Sequence, residues 1–282
     1  MTLAGRNIES LAELTALRQR LTTDDEGIKR ILVCSTGCLA IGAREIETAL
    51  RDGVVAANLQ DEVEVVATGC HGLCAMAPVV VIEPDDIVYG RNRIKYIPDV
   101  IEKTVKNGEI IRRFCFGRNE ETAHLVDIPF YSHQTKAVLR NVGRVDPRQI
   151  EDAIQLGAYE AAAKVLGSME PDQVVEEVVA SGLRGRGGGG FPAGLKWKIC
   201  KESPGDTRYL ICNADEGDPG AFMDRSIIES DPHSVLEGMT IGARAIGASR
   251  GHVYIRHEYP LARERLIKAI DQAREYGLPV SY

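Results

Sequence analysis

The sequence predicts an α/β protein of two domains. In the first half, short runs of β-branched and apolar residues surround one helical stretch, and two of these runs end in cysteine pairs. In the second half, several stretches of helical period precede a strand–helix–strand unit. A glycine-rich loop and an acidic loop interrupt that second half and are the most unusual stretches of the chain.

Length and composition limit the classes of function. A chain of 282 residues can hold two domains with separate cores. The net charge of −7 disfavours nucleic acid as the main partner, because no basic surplus exists to neutralise phosphates. No apolar run of about twenty residues predicts a membrane span, and the charged N-terminus lacks the apolar core of a secretion signal. We therefore expect a cytoplasmic protein, in which seven cysteines favour metal or redox chemistry over disulfides.

The first part of the chain predicts a helix followed by a small sheet. The predicted elements are helix 8–21 with Asn7 as its N-cap, strand 28–33, helix 39–51, strand 62–67, a hairpin of strands 79–82 and 87–89, and helix 99–106. The first helix packs on the domain after it or binds a partner. The remaining order, β-α-β-β-β-α, fits a small thioredoxin-like sheet. We assign residues 1–25 to the N-terminal helix and 26–112 to this domain.

Each of two cysteine pairs directly follows a predicted strand. Cys34 and Cys38 follow the first strand, and Cys70 and Cys74 follow the second. Two such loops at one edge of a sheet can present four thiolates to one point. Two close pairs suit a [2Fe–2S] cluster in which each pair holds one iron. Zinc, which also accepts four thiolates, and a disulfide or free thiols are the alternatives.

Other residues of these loops have expected roles. Glycines 37, 69 and 72 allow backbone N–H groups to approach sulfur, which tunes the potential of a cluster. His71 lies between two cysteines, and we interpret it as a loop residue rather than as a ligand.

A charged stretch without a clear period, residues 113–130, is predicted to link the domains. Its cysteine, Cys115, has no partner nearby in sequence and is expected to be structural. The second domain, 131–282, is predicted to begin with three helices, at 146–156, 158–166 and 171–180.

The segment Gly182–Trp197 has the composition of a phosphate-binding loop. Seven of its first thirteen residues are glycine, and glycine permits positive φ and close approach of the backbone to a ligand. Backbone N–H groups in such a turn bind anions, and the interspersed Arg184, Arg186 and Lys196 add positive charge. A flexible linker is the alternative, although linkers seldom contain Phe-Pro and Leu-Lys-Trp.

An acidic loop follows a short apolar strand, 209–212. Asn213, Asp215, Glu216 and Asp218 stand at the carboxyl end of that strand, where ligands of α/β sheets usually bind. A basic loop for phosphate and an acidic strand end for sugar hydroxyls and ring N–H groups together suit a nucleotide.

The chain then continues as a parallel βαβ unit. Its predicted elements are helix 232–246, strand 252–256 and helix 260–276. His257 and Glu258 follow the second strand, where they contact a ligand or form a surface turn.

The glycine-rich and acidic segments resemble the FMN- and NADH-binding flavoprotein subunit of respiratory complex I and its soluble relatives. Those relatives are diaphorase subunits of NAD-reducing and electron-bifurcating hydrogenases and of NAD-dependent formate dehydrogenases. The resemblance covers roughly residues 128–282. The run from Thr68 to Pro78 resembles the thioredoxin-like [2Fe–2S] ferredoxins, although three residues rather than the usual four separate Cys34 from Cys38. Together these features point to the soluble class.

The resemblance implies a cofactor site residue by residue. It implies that FMN is held by Gly185, Arg186, Gly187, Gly188 and Lys196. It also implies that the ribityl chain and the ring of FMN are bound by Asn213, Asp215, Glu216 and Gly217. Phe191 would stack on the adenine of NADH, and Asp218 would lie near the nicotinamide. Ile199 replaces an aromatic residue of complex I, which weakens stacking on NADH or alters the nucleotide preference.

The resemblance implies an NADH:acceptor oxidoreductase that passes electrons between NAD(H), FMN and iron–sulfur clusters, with no catalytic acid or base. The alternative is a non-enzymatic [2Fe–2S] electron carrier or docking module. Expected partners are other subunits of a hydrogenase, formate dehydrogenase or complex I-like assembly, including a small [2Fe–2S] subunit. The flavin domain is expected to be incomplete, because the family continues with further segments, among them a [4Fe–4S] domain.

Overall fold

A computed structural model describes residue 8 and residues 10–278. It divides the chain into two compact units. The cysteine unit comprises residues 22–147 together with 229–231, and the glycine-loop unit comprises the described residues of 1–21, 148–228 and 232–282. Both units contain helices and strands, so the α/β class predicted from the sequence is confirmed.

The cysteine unit is built on a four-stranded mixed sheet. Its elements are β1 (Lys29–Cys34), α2 (Ala43–Ala56), β2 (Val63–Thr68), β3 (Val80–Glu83), β4 (Ile87–Tyr89), α3 (Ile97–Asp99) and α4 (Pro129–Ser132). The strand order is β2-β1-β3-β4. β1 pairs in parallel with β2, and β3 is antiparallel to both β1 and β4. This connectivity agrees with the predicted order of elements and with a thioredoxin-like sheet.

Apolar residues hold this sheet between its flanking segments. β3 and β4 are almost entirely buried, as expected for strands covered on both faces. On α2, Ile46, Leu50 and Val54 recur every four residues and form the buried face. Pro98 lies in the first turn of α3, which continues in π-helical geometry as Val100–Lys106. The predicted helix 99–106 therefore begins two residues earlier and is not α-helical throughout.

The segment predicted to be a linker, residues 113–130, is part of the core of the cysteine unit. Phe114, Cys115, Ala123 and Ile128 are buried in the same apolar cluster as the strands. The N–H of Val88 in β4 donates to the carbonyl of Ala123 over 2.7 Å. The segment covers the outer edge of β4 through backbone hydrogen bonds, which an irregular, charged sequence does not reveal.

The glycine-loop unit surrounds two parallel strands with helices. Its elements are α1 (Leu11–Asp24), α5 (Ile150–Gln155), α6 (Glu160–Ser168), α7 (Pro171–Ala180), α8 (Ala193–Glu202), β5 (Tyr209–Ala214), α9 (Met223–Ser230), α10 (Pro232–Ile246), β6 (Arg250–Ile255) and α11 (Pro260–Glu275). β5 pairs with β6 from Tyr209↔Arg250 to Ala214↔Ile255, which confirms the parallel βαβ unit.

Several predicted boundaries differ from the observed ones. The helix predicted from residue 146 begins at Ile150, and the strand predicted to end at residue 212 extends to Ala214. The predicted helix 39–51 begins as a 3₁₀ turn, Gly37–Ile41, before α2. The proposed N-cap Asn7 lies outside the described residues. Within the described part of the chain, no helix has the length and apolarity that crossing a bilayer requires.

The N-terminal helix α1, set apart as its own segment by the sequence, packs on the glycine-loop unit through its residues up to Leu21. The Arg18 Nε donates to the carbonyl of Gln155 over 2.9 Å, and the Gln155 side chain donates to the carbonyl of Leu21 over 3.0 Å. Leu14 and Leu17 are its buried residues. The helix up to Leu21 therefore belongs to the same unit as α5 and not to the unit that follows it in sequence.

Candidate cofactor sites

The four predicted cysteine ligands line one small pocket of the cysteine unit. Cys34 ends β1, and Cys38 lies in the 3₁₀ turn after it. Cys70 follows β2, and Cys74 begins a second 3₁₀ turn. The pocket that all four line has a volume of about 130 Å³. Cys34 and Cys38 are buried and Cys74 is exposed, so one side of the pocket faces the surface.

The thiols of the pocket influence one another's pKa values. Hydrogen bonds with Cys38 and Cys70 hold the pKa of Cys34 far below its usual range. The same hydrogen bonds, together with burial, raise the pKa of Cys38 and of Cys70. The pKa of Cys34 therefore depends on a cysteine of its own pair and on one from the second pair. The shortened C-x₃-C spacing does not remove it from the group.

The loop of the second pair adds backbone contacts to sulfur. The N–H of Gly72 donates to the Cys70 Sγ over 3.2 Å, as its sequence position predicted. His71 is buried, with its Nε2 3.4 Å from the Thr68 hydroxyl, and burial lowers its pKa to about 4. The imidazole packs in this loop and lines the same pocket as the four cysteines, so its interpretation as a non-ligand stays a prediction.

Within the described residues, no three or more His, Cys, Asp or Glu side chains are arranged to hold a single metal ion. The four thiols instead share the walls of one pocket. Cys115 is buried elsewhere in the core, where its Sγ contacts the carbonyl of Ile111. The assignment of the four cysteines to a metal cofactor remains a prediction.

In the other unit, the glycine-rich loop forms a narrow backbone hairpin. The N–H of Gly185 donates to the carbonyl of Phe191 over 2.9 Å, and the N–H of Ala193 donates to that of Leu183 over 2.8 Å. The tip contains Gly188 and Gly190, both at positive φ, which a residue with a side chain adopts only at a cost. The loop is an ordered turn held by its own hydrogen bonds, so the linker interpretation is not supported.

The cations of this loop differ in their partners. The Arg184 guanidinium folds back and donates to the carbonyl of Gly190 over 3.0 Å. Arg186 and Lys196 are exposed, and within the described part of the chain the structure records no ion pair for either of them. The loop leads directly into the N-terminus of α8, where backbone N–H groups and the helix dipole favour an anion.

In the acidic loop, the predicted ligand Glu216 already has protein partners. Its Oε1 accepts the backbone N–H groups of Met223 and Asp224 over 2.6 and 3.0 Å, and its Oε2 accepts that of Arg225 over 3.2 Å. These are the first N–H groups of α9. Glu216 therefore satisfies the orphan donors of a helix N-terminus and is itself buried. Asn213, Asp215, Gly217 and Asp218 remain exposed.

Arg256 holds the acidic loop from the neighbouring strand. Its Nη1 donates to the backbone carbonyl of Glu216 over 2.5 Å, and its Nε lies 3.9 Å from the Asp215 carboxylate. It also pairs with Glu258 over 3.1 Å, which makes the turn after β6 a support for the loop. Sequence reasoning missed Arg256. The signal available was its position just after β6, in register with the residue that follows β5.

The glycine-rich loop and the acidic loop belong to one unit and are carried by elements that pack on the same helix. A Cβ placed on Gly242 of α10 would meet Trp197 of α8 at 3.4 Å and Leu210 of β5 at 3.3 Å. α8 and β5 therefore both lie against α10. The apolar residues Phe191, Ile199 and Ile211 are exposed on these elements.

A larger apolar groove in the same unit lies elsewhere. It has a volume of about 860 Å³ and is lined by α10, β6 and α11, with Met239, Val253 and Leu266 among its residues. None of the predicted cofactor residues lines it. Its size therefore does not identify it as the nucleotide site, because the phosphate-binding loop and the strand end are absent from it.

Comparison with known proteins gives the second half of the chain a family match. Residues 178–280 match the Nuo51 FMN-binding domain. The matched segment contains the glycine-rich loop, the acidic loop and the βαβ unit.

Curated relatives extend this similarity. The NADP-reducing hydrogenase subunit HndC of Solidesulfovibrio fructosivorans is 60% identical over 145 residues, which are 51% of this chain and 29% of that protein. The alpha subunit of the NAD-reducing hydrogenase HoxS of Cupriavidus necator is 35% identical over 262 residues, which are 89% of this chain and 41% of that protein. The chain thus spans less than half the length of both relatives.

A solved structure is also similar to part of the chain. The thioredoxin-like [2Fe–2S] ferredoxin from Aquifex aeolicus is 30% identical and aligns with a TM-score of 0.29 over 31% of this chain and 88% of that one.

Proposed function

We propose, on the premise that residues 178–280 belong to the Nuo51 FMN-binding domain family, that this chain is part of an NADH:acceptor oxidoreductase of the diaphorase type. Its glycine-loop unit would bind FMN and NAD(H), and its cysteine unit would bind a [2Fe–2S] cluster. The observation that carries the flavin part is the ordered glycine hairpin, with two exposed cations and a helix N-terminus at its base.

The residues present fit the phosphate of FMN. A Cβ added to Gly187 or Gly188 would meet no other atom within 4 Å, so the space beside the hairpin is open to a ligand. The positive charges of Arg186 and Lys196 and the N-terminus of α8 favour a phosphate there. Asn213, Asp215 and the backbone at Gly217 would orient the ribityl chain and ring, and Phe191 would stack on the adenine of the dinucleotide.

The contacts of Glu216 refine its proposed role. Because its carboxylate accepts three N–H groups of α9, it would shape the loop that carries Asp215 and Gly217 instead of offering both oxygens to the flavin. Asp218 is exposed and would lie near the nicotinamide.

The cysteine pocket fits a two-iron cluster. Four thiols from two loops share a pocket of about 130 Å³, and a backbone N–H already contacts one sulfur. Two pairs of thiolates match a cluster in which each pair holds one iron. Cys34, Cys38, Cys70 and Cys74 would be the ligands, and zinc is the alternative occupant.

The two cofactors would have complementary roles. When bound, FMN would supply two-electron chemistry as hydride acceptance together with one-electron release, and an iron–sulfur cluster would supply one-electron acceptance. The chain would supply binding, orientation and charge, since hydride transfer to a flavin needs no protein acid or base. We further propose that the chain operates in the cytoplasm beside other subunits of a hydrogenase, formate dehydrogenase or complex I-like assembly, one of them a small [2Fe–2S] protein.

A second function is favoured by a specific observation. Cys74 is exposed at the rim of the pocket, so a cluster held there would exchange electrons with an external protein without a flavin. In that case the chain is a [2Fe–2S] carrier, and its second unit is a docking module.

The decisive experiment is a cofactor analysis of the purified chain with a matched activity assay. We expect iron and sulfide in equal amounts, FMN released on denaturation, and ferricyanide reduction by NADH, with NADPH tested in parallel. Iron and sulfide without flavin and without diaphorase activity would favour the carrier. Zinc in place of iron would contradict the cluster, and protein that takes up neither flavin nor iron would contradict both functions.

A further inference from the structure

A segment outside the sheet lies over the second cysteine loop. We call residues 129–143 the cover segment. The Phe130 ring packs on Gly72, where an added Cβ would lie 3.1 Å from a ring carbon. The Tyr131 hydroxyl donates to the backbone carbonyl of His71. At the other end, a Cβ on Gly143 would lie 2.7 Å from the His71 Nδ1, so both ends of the cover segment contact this loop.

One cation of the cover segment lies over Tyr131, whose hydroxyl contacts the residue after Cys70. The Lys136 Nζ lies 4.2 Å from the centroid of the Tyr131 ring, a distance at which a cation is attracted to an aromatic face. The side chain is half-buried, and within the described part of the chain the structure records no carboxylate paired with it.

Electrostatics connects this cation with the cysteines. Burial lowers the pKa of Lys136, and the Cys70 thiolate opposes that shift. The charges of Lys136 and Cys70, which lines the pocket, therefore influence each other, and the partial burial of Lys136 limits screening by salt.

We infer that Lys136 is a positioning residue that raises the reduction potential of the cluster proposed above, so this inference rests on that proposed function. When one electron enters the cluster and no proton accompanies it, the cluster with its four thiolates becomes more negative by one unit of charge. A nearby positive charge stabilises the reduced form more than the oxidised form. The electron comes from the flavin in the proposed function and from dithionite in the test.

The structure offers a matched control. Lys95 also lies over a tyrosine, with its Nζ 5.0 Å from the centroid of the Tyr96 ring. It belongs to the same unit, but it is exposed, and its ring partner Tyr96 packs on Phe114, outside the residues that line the cysteine pocket.

The test is a redox titration of the cluster, followed by EPR, in four forms of the full chain: unsubstituted, Lys136→Met, Lys136→Arg and Lys95→Met. We expect Lys136→Met to lower the midpoint potential by about 59 mV, which corresponds to a tenfold change in the ratio of reduced to oxidised cluster for a one-electron couple. Lys136→Arg and Lys95→Met should keep the potential of the unsubstituted chain.

The outcomes separate this inference from the function on which it rests. If the unsubstituted chain holds a [2Fe–2S] cluster and Lys136→Met titrates at the same potential, the inference is wrong and the proposed function stands. An equal shift in Lys136→Arg would also overturn it, because the charge would then not be the cause. If Lys136→Met does not assemble a cluster, Lys136→Gln is titrated in its place. A chain that assembles no cluster in any form overturns the proposed cluster and this inference together.

Discussion

The carboxylate of Glu216 accepts the backbone N–H of Met223 over 2.6 Å and so caps the N-terminus of α9. Hydrogen bonds within the protein therefore hold the acidic loop in the absence of a ligand. A helix cap and a ligand contact have different consequences when they are removed, which makes the role of Glu216 testable.

Glu216→Ala should destabilise the FMN-free protein. Loss of the cap leaves the first N–H groups of α9 without their acceptor, at a cost of about 1–2 kcal/mol. The measurement is thermal unfolding without flavin, with Asp218→Ala as the control because Asp218 is exposed. Unchanged unfolding of Glu216→Ala would mean that the carboxylate is not a structural cap.

Arg256→Met should weaken FMN binding without removing any residue expected to contact it. The guanidinium holds the Glu216 carbonyl and the Asp215 carboxylate, and loss of such charged hydrogen bonds should reduce the affinity for FMN about tenfold. Flavin fluorescence titration measures the effect. Arg256→Lys should recover part of the affinity, and Arg263→Met, at an exposed position of α11, should retain all of it. If Arg256→Met and the unsubstituted chain bind FMN with equal affinity, Arg256 does not support the acidic loop for FMN binding.

Two glycines at the loop separate ligand binding from packing. Gly187 has open space at its Cβ position, so Gly187→Ala should unfold normally but bind FMN more weakly, because a methyl group would occupy the space beside the phosphate. A Cβ on Gly194 would lie 2.5 Å from the backbone nitrogen of Val179, so Gly194→Ala should force α7 and α8 apart at a cost of about 1–3 kcal/mol. Thermal unfolding and flavin titration of both variants check the contrast, and Gly167→Ala is the control for an added methyl group at an open position. Normal FMN binding by Gly187→Ala would place the phosphate elsewhere.

Cys70→Ser should abolish the EPR signal of the reduced cluster. Cys70 contributes to the shared pocket, whereas Cys115 is buried outside it. Cys115→Ser should therefore retain the signal and serve as the matched control. A persisting signal in Cys70→Ser would show that the cluster has other ligands.

Acid should destabilise the glycine-loop unit through His233. Burial lowers the pKa of His233 to about 4, and its Nδ1 lies 2.8 Å from the Tyr159 hydroxyl. In the unfolded chain, His233 is protonated below its ordinary pKa of 6.5. In the folded chain, it stays neutral until the pH falls to about 4. The free energy of unfolding should therefore be highest above pH 6.5 and fall by about 3 kcal/mol between pH 6.5 and 4.

His233→Asn should reduce the dependence of the free energy of unfolding on pH by the amount that corresponds to about one bound proton. Denaturant titrations at several pH values measure the slope, and His133→Asn, at an exposed position, should not change it. A slope that is the same in His233→Asn would show that His233 is not the group that titrates.

Local patterns predicted much of what the structure contains. The helix Pro171–Ala180 and the helix Pro232–Ile246 have the predicted bounds, because each begins at a proline and carries a continuous apolar period. The glycine-rich loop and the cysteine pairs were recognisable because their chemistry depends on residues close together in sequence.

Contacts between distant residues were not predictable in the same way. Residues 113–130 have no period because their role is to cover the edge of β4 through backbone groups, which any sequence supplies. Arg256 reaches the carbonyl of a residue 40 positions earlier because β5 and β6 pair in register, so the residues after the two strands lie side by side.

The sequence by itself determined the α/β class, the thiols available to a metal cofactor and the basic loop available to a phosphate. Only the tertiary structure decided that Cys34 shares a pocket with Cys70, that Glu216 is committed to capping a helix, and that Lys136 lies over Tyr131. The physical reason is that spacing along the chain specifies local geometry, whereas the surroundings of a charge or a sulfur depend on which remote elements pack against it.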